Sequence, residues 1–353
     1  MQKNILIIGA GIHGCFIAKY LLQKKFNIYI IEKERDICLG SSSATHNRAN
    51  RGFHYPRSQE TVLECFKAYS YFEKNYNRFL KKIQSYYCIE KKSKVSFLKY
   101  VNFFKKNNLK FKIIKNSKHL NNKELQGIIK AEEGCYDHFK LKKYLKKQLN
   151  NKKINFFFNF ELKKFKKIKS ELILVSEKEK KIKLKVDIII NATYDNTNNI
   201  IKIFKKNFQD IKYNHQLTEV AVVESKNHIP GVTIMDGPFA TIMPLVGEKK
   251  KYLVYDVENS ILKKSNKPIK KSNKKSNFLK MYSKLKKYLN NGHSLKYLYS
   301  NYGNRPIPAK DIGANRSTKI LKIKHNGFEL INILEGKYIS APYIAKKLSN
   351  EIK

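Results

Sequence analysis

Apolar side chains open the chain as an unbroken run, Ile5-Leu6-Ile7-Ile8, and a second run, Ile28-Tyr29-Ile30-Ile31, follows after a helix-sized interval. Runs this short without polar alternation are the mark of strands buried on both faces. The stretch from Cys15 to Leu22 between them reads as the connecting helix. After Ser58 the period changes. Val62, Cys65, Phe66, Tyr69, Phe72, Tyr76, Phe79 and Ile83 keep a helical spacing and read as the core stripe of a long amphipathic helix. Alternating or apolar stretches at Val95–Val101, Phe111–Ile114, Leu217–Val223, Ala240–Val246 and Tyr252–Val257 read as strands of a second sheet. Leu141–Leu149 reads as a helix and Ile154–Phe160 as a strand, while Val186–Thr193 reads as a buried parallel strand ending in a polar turn. The lysine-dense stretch Lys263–Lys287 reads as a solvated loop and helix face, and no internal repeat is visible. The expectation is an α/β domain interrupted by β-rich insertions.

The turn joining the first strand to its helix is Gly9-Ala10-Gly11-Ile12-His13-Gly14, and the second strand ends at Glu32. Glycines at these spacings permit a tight turn, let backbone approach a pyrophosphate, and let helix pack on strand. Amides at the helix start then face phosphate, and an acid about 20 residues on reaches a ribose hydroxyl. Strand, glycine turn, helix, strand and acid occur in order, so a dinucleotide site is expected here.

Composition narrows the picture. With 353 residues, 42% of them hydrophobic, the chain is long enough for one elaborated or two ordinary domains. The formal charge of +45 raises polyanion binding. Lysines are spread along the whole chain without a helix-turn-helix, zinc-finger or aromatic RNA-binding signature, so specific nucleic-acid binding is not expected. Weak association with an anionic membrane surface remains open on charge alone. Cys15, Cys38, Cys65, Cys88 and Cys135 are odd in number and never in a C-x-x-C pair, which argues for a reducing, cytoplasmic setting without disulfides or a metal site. The chain starts in a strand without a leader-like segment, and its apolar runs are too short to span a bilayer.

Four landmarks together resemble the FAD-dependent oxidoreductases of the D-amino-acid oxidase and glycine oxidase superfamily. They are the glycine turn with Glu32, the loop Ser41-Ser42-Ser43-Ala44-Thr45-His46-Asn47, the strand ending Ile190-Asn191-Ala192-Thr193, and Gly336-Lys337-Tyr338 before a last helix near Tyr343. Gly303-Asn304-Arg305-Pro306, Asn315-Arg316 and the segment Asn332–Lys337 are similar to the glycerol-3-phosphate and 2-hydroxyglutarate dehydrogenase branches. Three departures stand out: Tyr194 replaces the glycine that usually follows the strand, His54 stands where glycerol-3-phosphate enzymes have an arginine, and Glu335 stands where the family has the first glycine of Gly-Gly-Lys. The second makes glycerol 3-phosphate itself an unexpected substrate.

The resemblance implies a mixed α/β fold: a Rossmann-like FAD-binding domain (1–80, 132–210 and 300–353) interrupted by an antiparallel β-sheet substrate domain (81–131 and 211–299). It places the cofactor on Gly9, Ala10, Gly11, Ile12, His13, Gly14, Glu32, Lys33, Ser42, Ser43, Thr45, Asn47, Gly336, Lys337 and Tyr338. Without a cysteine near the C-terminal motif, FAD is expected to be held noncovalently. His54, Lys337 and Arg305 are the candidate catalytic residues, with His54 accepting a proton, and Asn50, Arg51, Tyr55 and Arg305 the substrate contacts; Tyr213–Glu224 and Gly237–Pro244 are expected to line the pocket. The implied reaction is oxidation of a C–N or C–O bond of a small anionic metabolite, with oxygen, a quinone or another acceptor downstream. An NAD-dependent dehydrogenase and a non-catalytic nucleotide-binding module on anionic surfaces are the alternatives.

Overall fold

In the computed structural model the described residues are 3–352, apart from 25, 236, 238, 271–274, 291–292, 310–314, 326 and 335. A six-stranded sheet forms the centre of the nucleotide half, in the spatial order Lys319–His325, Phe328–Leu334, Ile188–Asn191, Asn4–Ile8, Asn27–Ile31 and Ile154–Phe157. Every pairing is parallel except the one between the first two. Ile5 and Ile7 point into the core shared with the helices Ile12–Leu22, His138–Leu149 and Ala341–Glu351. Leu6 and Ile8 point the other way, against the three-stranded meander 162–185 and the helix Thr197–Phe204. Ile5, Leu6 and Ile7 are 0% exposed, so both faces are covered, and each such side chain contributes about 1.5–3 kcal/mol of burial. That is why the run carries no polar alternation.

The second sheet has nine strands. Its path runs Ile261–Ser265, Tyr213–Glu224, Lys251–Tyr255, Thr241–Pro244, Gly231–Met235, Ser85–Glu90, Leu125–Ala131 and Phe111–Ile114, with Lys296–Pro308 pairing along Tyr213–Glu224. The expectation of an antiparallel sheet holds but for one pair: Gly231–Met235 runs parallel to Ser85–Glu90. These strands come from the two separate insertions, so no hairpin dictates their direction. Lys296–Pro308 crosses the expected boundary at residue 300, so Arg305 sits on a strand of this sheet, in register with Gln216. A small sheet of Arg48–Ala49, Gly134–Tyr136 and Leu80–Lys82 lies where the chain passes between the two halves.

Two other local expectations change. Val95–Val101 is not a strand: Ser96 accepts a hydrogen bond from the Lys99 N–H and caps a helix, Phe97–Lys106, which buries Tyr100, Val101 and Phe104 at helical spacing. Within Lys263–Lys287, the strand Ile261–Ser265 covers the start, and the helix Phe278–Lys286 buries Phe278, Met281 and Leu285; residues 271–274 lie outside the described residues. The helix expected after Ser58 runs Gln59–Tyr76, with Ser58 accepting from the Thr61 N–H.

Candidate active site

Ligands of open α/β sheets bind beyond the carboxyl ends of the strands. Here the glycine turn follows the first strand, Glu32 the second and Thr193 the fourth. A Cβ on Gly14 would lie 2.0 Å from the Gly9 carbonyl oxygen, so only glycine lets the helix start this close to the strand. Glu32 accepts from the Ala10 N–H at 2.6 Å and the Glu34 N–H at 2.9 Å. Burial raises its pKa, against the pull of those amides. Lys33 beside it is exposed. Gly11 precedes the helix as its cap, and the Ile12 N–H donates to Ser42 Oγ at 3.0 Å.

Ser42 therefore ties the loop 41–47 to the turn. Ser43 donates to Leu39 O, and Thr45 Oγ1 lies 2.5 Å from Tyr136 OH while it accepts from the Asn47 N–H. Ser41 donates to Asn304 O at 2.7 Å, which brings the loop against the strand that carries Arg305. From the other side comes the C-terminal segment. His13 Nε2 lies 3.2 Å from Lys337 O, and a Cβ on Gly336 would fall 2.7 Å from that nitrogen. Since a carbonyl only accepts, His13 carries its proton on Nε2. Its Nδ1 is then a buried acceptor without a partner among the described residues, and burial lowers the ring's pKa to about 4. Tyr338 turns inward, stacked on Tyr136 at 4.0 Å with its hydroxyl 3.0 Å from His138 Nδ1. The last helix begins at Ala341, two residues before the expected Tyr343.

The close strand-to-helix turn that Gly14 permits and the His13 Nδ1 acceptor, unpartnered among the described residues, both suit a bound FAD, whose diphosphate would meet the turn and whose ribose would meet Glu32. When bound, FAD supplies two-electron acceptance.

Across the loop stands a cationic group of side chains. Arg48, 9% exposed, points Nη1 at His54 Nδ1 (3.2 Å) and Tyr87 OH (3.1 Å), and Nη2 at Thr233 Oγ1 and Met243 Sδ. Tyr87 OH in turn donates to Glu133 Oε2 at 2.7 Å. Burial works against the Arg48 charge, but Tyr87 and Glu133 outweigh it and raise the pKa. Arg305 donates to Gln216 Oε1 at 2.7 Å and lies over the Tyr255 ring, on which His46 also packs at 4.6 Å. The Nε atoms of Arg48 and Arg305 are buried without partners among the described residues. Burial and the two guanidiniums lower His46 to about 3 and push His54 well below its usual value. The arrangement offers fixed positive charge and neutral imidazoles, a combination that suits an anion.

The family model for the FAD-dependent oxidoreductases named DAO matches residues 4–309. The chain belongs to this family. It is therefore an FAD-dependent oxidoreductase, and the nicotinamide and non-catalytic alternatives fall away. The DAO fold recurs in glycine oxidase from Geobacillus kaustophilus (11% identity, TM-score 0.78, covering 100% of this chain and 96% of that one) and L-proline dehydrogenase from P. horikoshii (15%, 0.76, 100% and 93%). It recurs also in dithionite-reduced L-α-glycerophosphate oxidase from Mycoplasma pneumoniae with FAD bound (16%, 0.75, 100% and 96%). No curated protein matches the chain in sequence.

Against this DAO frame the expected substrate residues separate. The His54 and Tyr55 rings are 5.5 Å apart, and the Arg305 charge acts on His54 from the neighbouring strand. Arg51 is drawn elsewhere, with its guanidinium on Glu73 and Glu132 and over the Tyr69 ring, and only its backbone N–H reaches Glu133. Asn50 closes a local turn by accepting from the Gly52 N–H at 2.6 Å. Lys337 Nζ donates to Arg316 O, lies 3.4 Å from Glu64 and 5.4 Å from the centre of the Tyr55 ring. Burial opposes its charge, but Cys65, Tyr55 and Glu64 leave its pKa raised. Phe239, from the expected lining segment 237–244, packs on His54 at 5.2 Å. Sequence reasoning passed over Arg48, Tyr87, Glu133 and Thr233. Among the described residues no helix is long and apolar enough to cross a membrane.

Proposed function

We propose that this flavoenzyme oxidises a C–N or C–O bond next to an anionic group of a small metabolite, of amino-acid or hydroxy-acid type. The observation that carries the reading is the meeting of Arg305, Arg48 and two neutral histidines beside the loop that borders the cofactor turn. The partially buried Arg305 guanidinium, held on one side by Gln216, anchors the anion. Structures that share the fold carry names of enzymes of proline, glycine and glycerophosphate, all small and anionic or zwitterionic. FAD is held noncovalently, and oxygen or a quinone-like acceptor takes the electrons.

The test is the visible spectrum of the purified protein, before and after denaturation, followed by anaerobic addition of amino acids, hydroxy acids and phosphate esters. Flavin bands that come free on denaturation and bleach with an amino or hydroxy acid support the reading. Flavin retained covalently overturns the noncovalent assignment, and bleaching by neutral alcohols or amines alone overturns the anionic substrate.

A further inference from the structure

The contact between Arg48 Nη1 and His54 Nδ1, 3.2 Å long, can be read in one direction only. A guanidinium has five N–H donors, no lone pair to offer, and keeps its proton in proteins. Arg48 therefore donates, His54 Nδ1 accepts, and the proton of the neutral ring sits on Nε2. We propose that Arg48 is a positioning residue that locks His54 as an Nε2–H donor, so that His54 holds the substrate's anionic group rather than taking a proton from it.

The lock is held from behind. Nη1 has two hydrogens, one for His54 and one for Tyr87 OH, and Tyr87 in turn donates to the buried Glu133. Nη2 is fixed by Thr233 Oγ1 and Met243 Sδ, which leaves the guanidinium plane no freedom to turn from the imidazole. The groups that face His54 all oppose a second proton: Arg48 from the short strand, His46 from the preceding loop and Arg305 from the long strand, with the Tyr55 and Phe239 rings closing two sides. Burial is the largest of these effects. A general base needs a free lone pair on the nitrogen that meets the substrate; here that nitrogen already bears hydrogen.

The inference rests on the proposed substrate pocket for its functional half, but its structural half is tested without turnover. Nitrogen NMR of the FAD-loaded protein carrying isotopically labelled histidine, with the His54 signals assigned by their loss in His54→Gln, reads which ring nitrogen is protonated. Expected are a pyridine-like Nδ1 and a pyrrole-like Nε2 that persist from neutral pH to well below 6.5; a protonated Nδ1 at neutral pH overturns the proposal. In Arg48→Met the same signals should begin to titrate closer to the ordinary histidine value. Because that variant risks misfolding, the second arm keeps Arg48 in place. Glutamine donates but is no base, so His54→Gln should retain kcat/KM within about tenfold while His54→Leu loses more, whereas a base role predicts a loss of about 10²–10⁴-fold in both. A protein that fails every anionic substrate yet shows the expected tautomer refutes the proposed function and leaves the lock standing.

Discussion

At the scale of single residues, the cofactor turn has no slack. Gly14→Ala must push its methyl into the Gly9 carbonyl, so the variant is expected to purify without the yellow flavin and with a lowered unfolding midpoint, both read from one absorption-monitored melt. Arg305→Met removes the proposed anion anchor. A charge-assisted hydrogen bond of about 1.5–3 kcal/mol corresponds to a loss of roughly 10- to 10²-fold in kcat/KM with little change in stability, and steady-state kinetics beside a denaturation curve separates the two. A specificity constant that falls no further than stability sinks the anchor. Tyr194 shows a different accommodation: it stands where the family has glycine and adopts φ +58°, so the chain keeps the left-handed turn after the strand despite the side chain. The glycine turn and Glu32 were legible in the sequence because their placement at the strand ends depends on local spacing, whereas Arg305 was singled out by the resemblance of its segment. Arg48 was not, because its partners Tyr87, Thr233 and Met243 are far away along the chain. Alternation offered no local signal either, because Asn47, between His46 and Arg48, holds φ +53° and breaks the extended chain there.

At the scale of elements, periodicity served best where a segment was long. The stripe after Ser58 gave the helix Gln59–Tyr76 but ran too far, since Phe79 closes a 3-10 turn and Ile83 follows the strand Leu80–Lys82, and the buried runs gave the central parallel strands. It failed at Val95–Val101, since seven residues of mixed apolar character fit two periods and the Ser96 cap together with the packing of Tyr100, Val101 and Phe104 against the second sheet selects the helix. The direction of Gly231–Met235 against Ser85–Glu90 was equally hidden, because it is set by the path of the chain through the other domain. Turns leave room for improvement. Lys169, between the strands Leu162–Ile168 and Glu171–Ser176, holds φ +52°, a conformation asparagine tolerates better than lysine. Lys169→Asn is expected to stabilise the protein by up to about 1 kcal/mol, seen as a higher denaturant midpoint at unchanged slope.

At the scale of the whole molecule, charge and buried histidines set the response to solution conditions. The net charge of +45 repels itself, so raising salt from about 0.01 M to about 0.5 M should raise the melting temperature, and weaken any binding to anionic vesicles in the same titration. His138 is 7% exposed and lowered to about 4, by burial first and Lys142 next. Its folded pKa lies below the unfolded value of 6.5, so its contribution is complete above pH 6.5 and is lost as pH falls from there toward 4, by up to about 1.4 kcal/mol per unit. His13 and His46 act in the same direction. Denaturant midpoints at pH 7 and pH 5 check this: a lower midpoint at pH 5 is expected, and equal values refute it. The order of the six-stranded sheet has a temporal consequence. The first strand made is the fourth in space, and Ile188–Asn191 at its side is covered by Phe328–Leu334 and the helix Ala341–Glu351 closes over the helix Ile12–Leu22 only near the end of the chain. During synthesis on the ribosome the glycine turn therefore precedes by most of this sequence the strand and helix that complete its sheet, and the nascent chain holds an open apolar sheet edge in between.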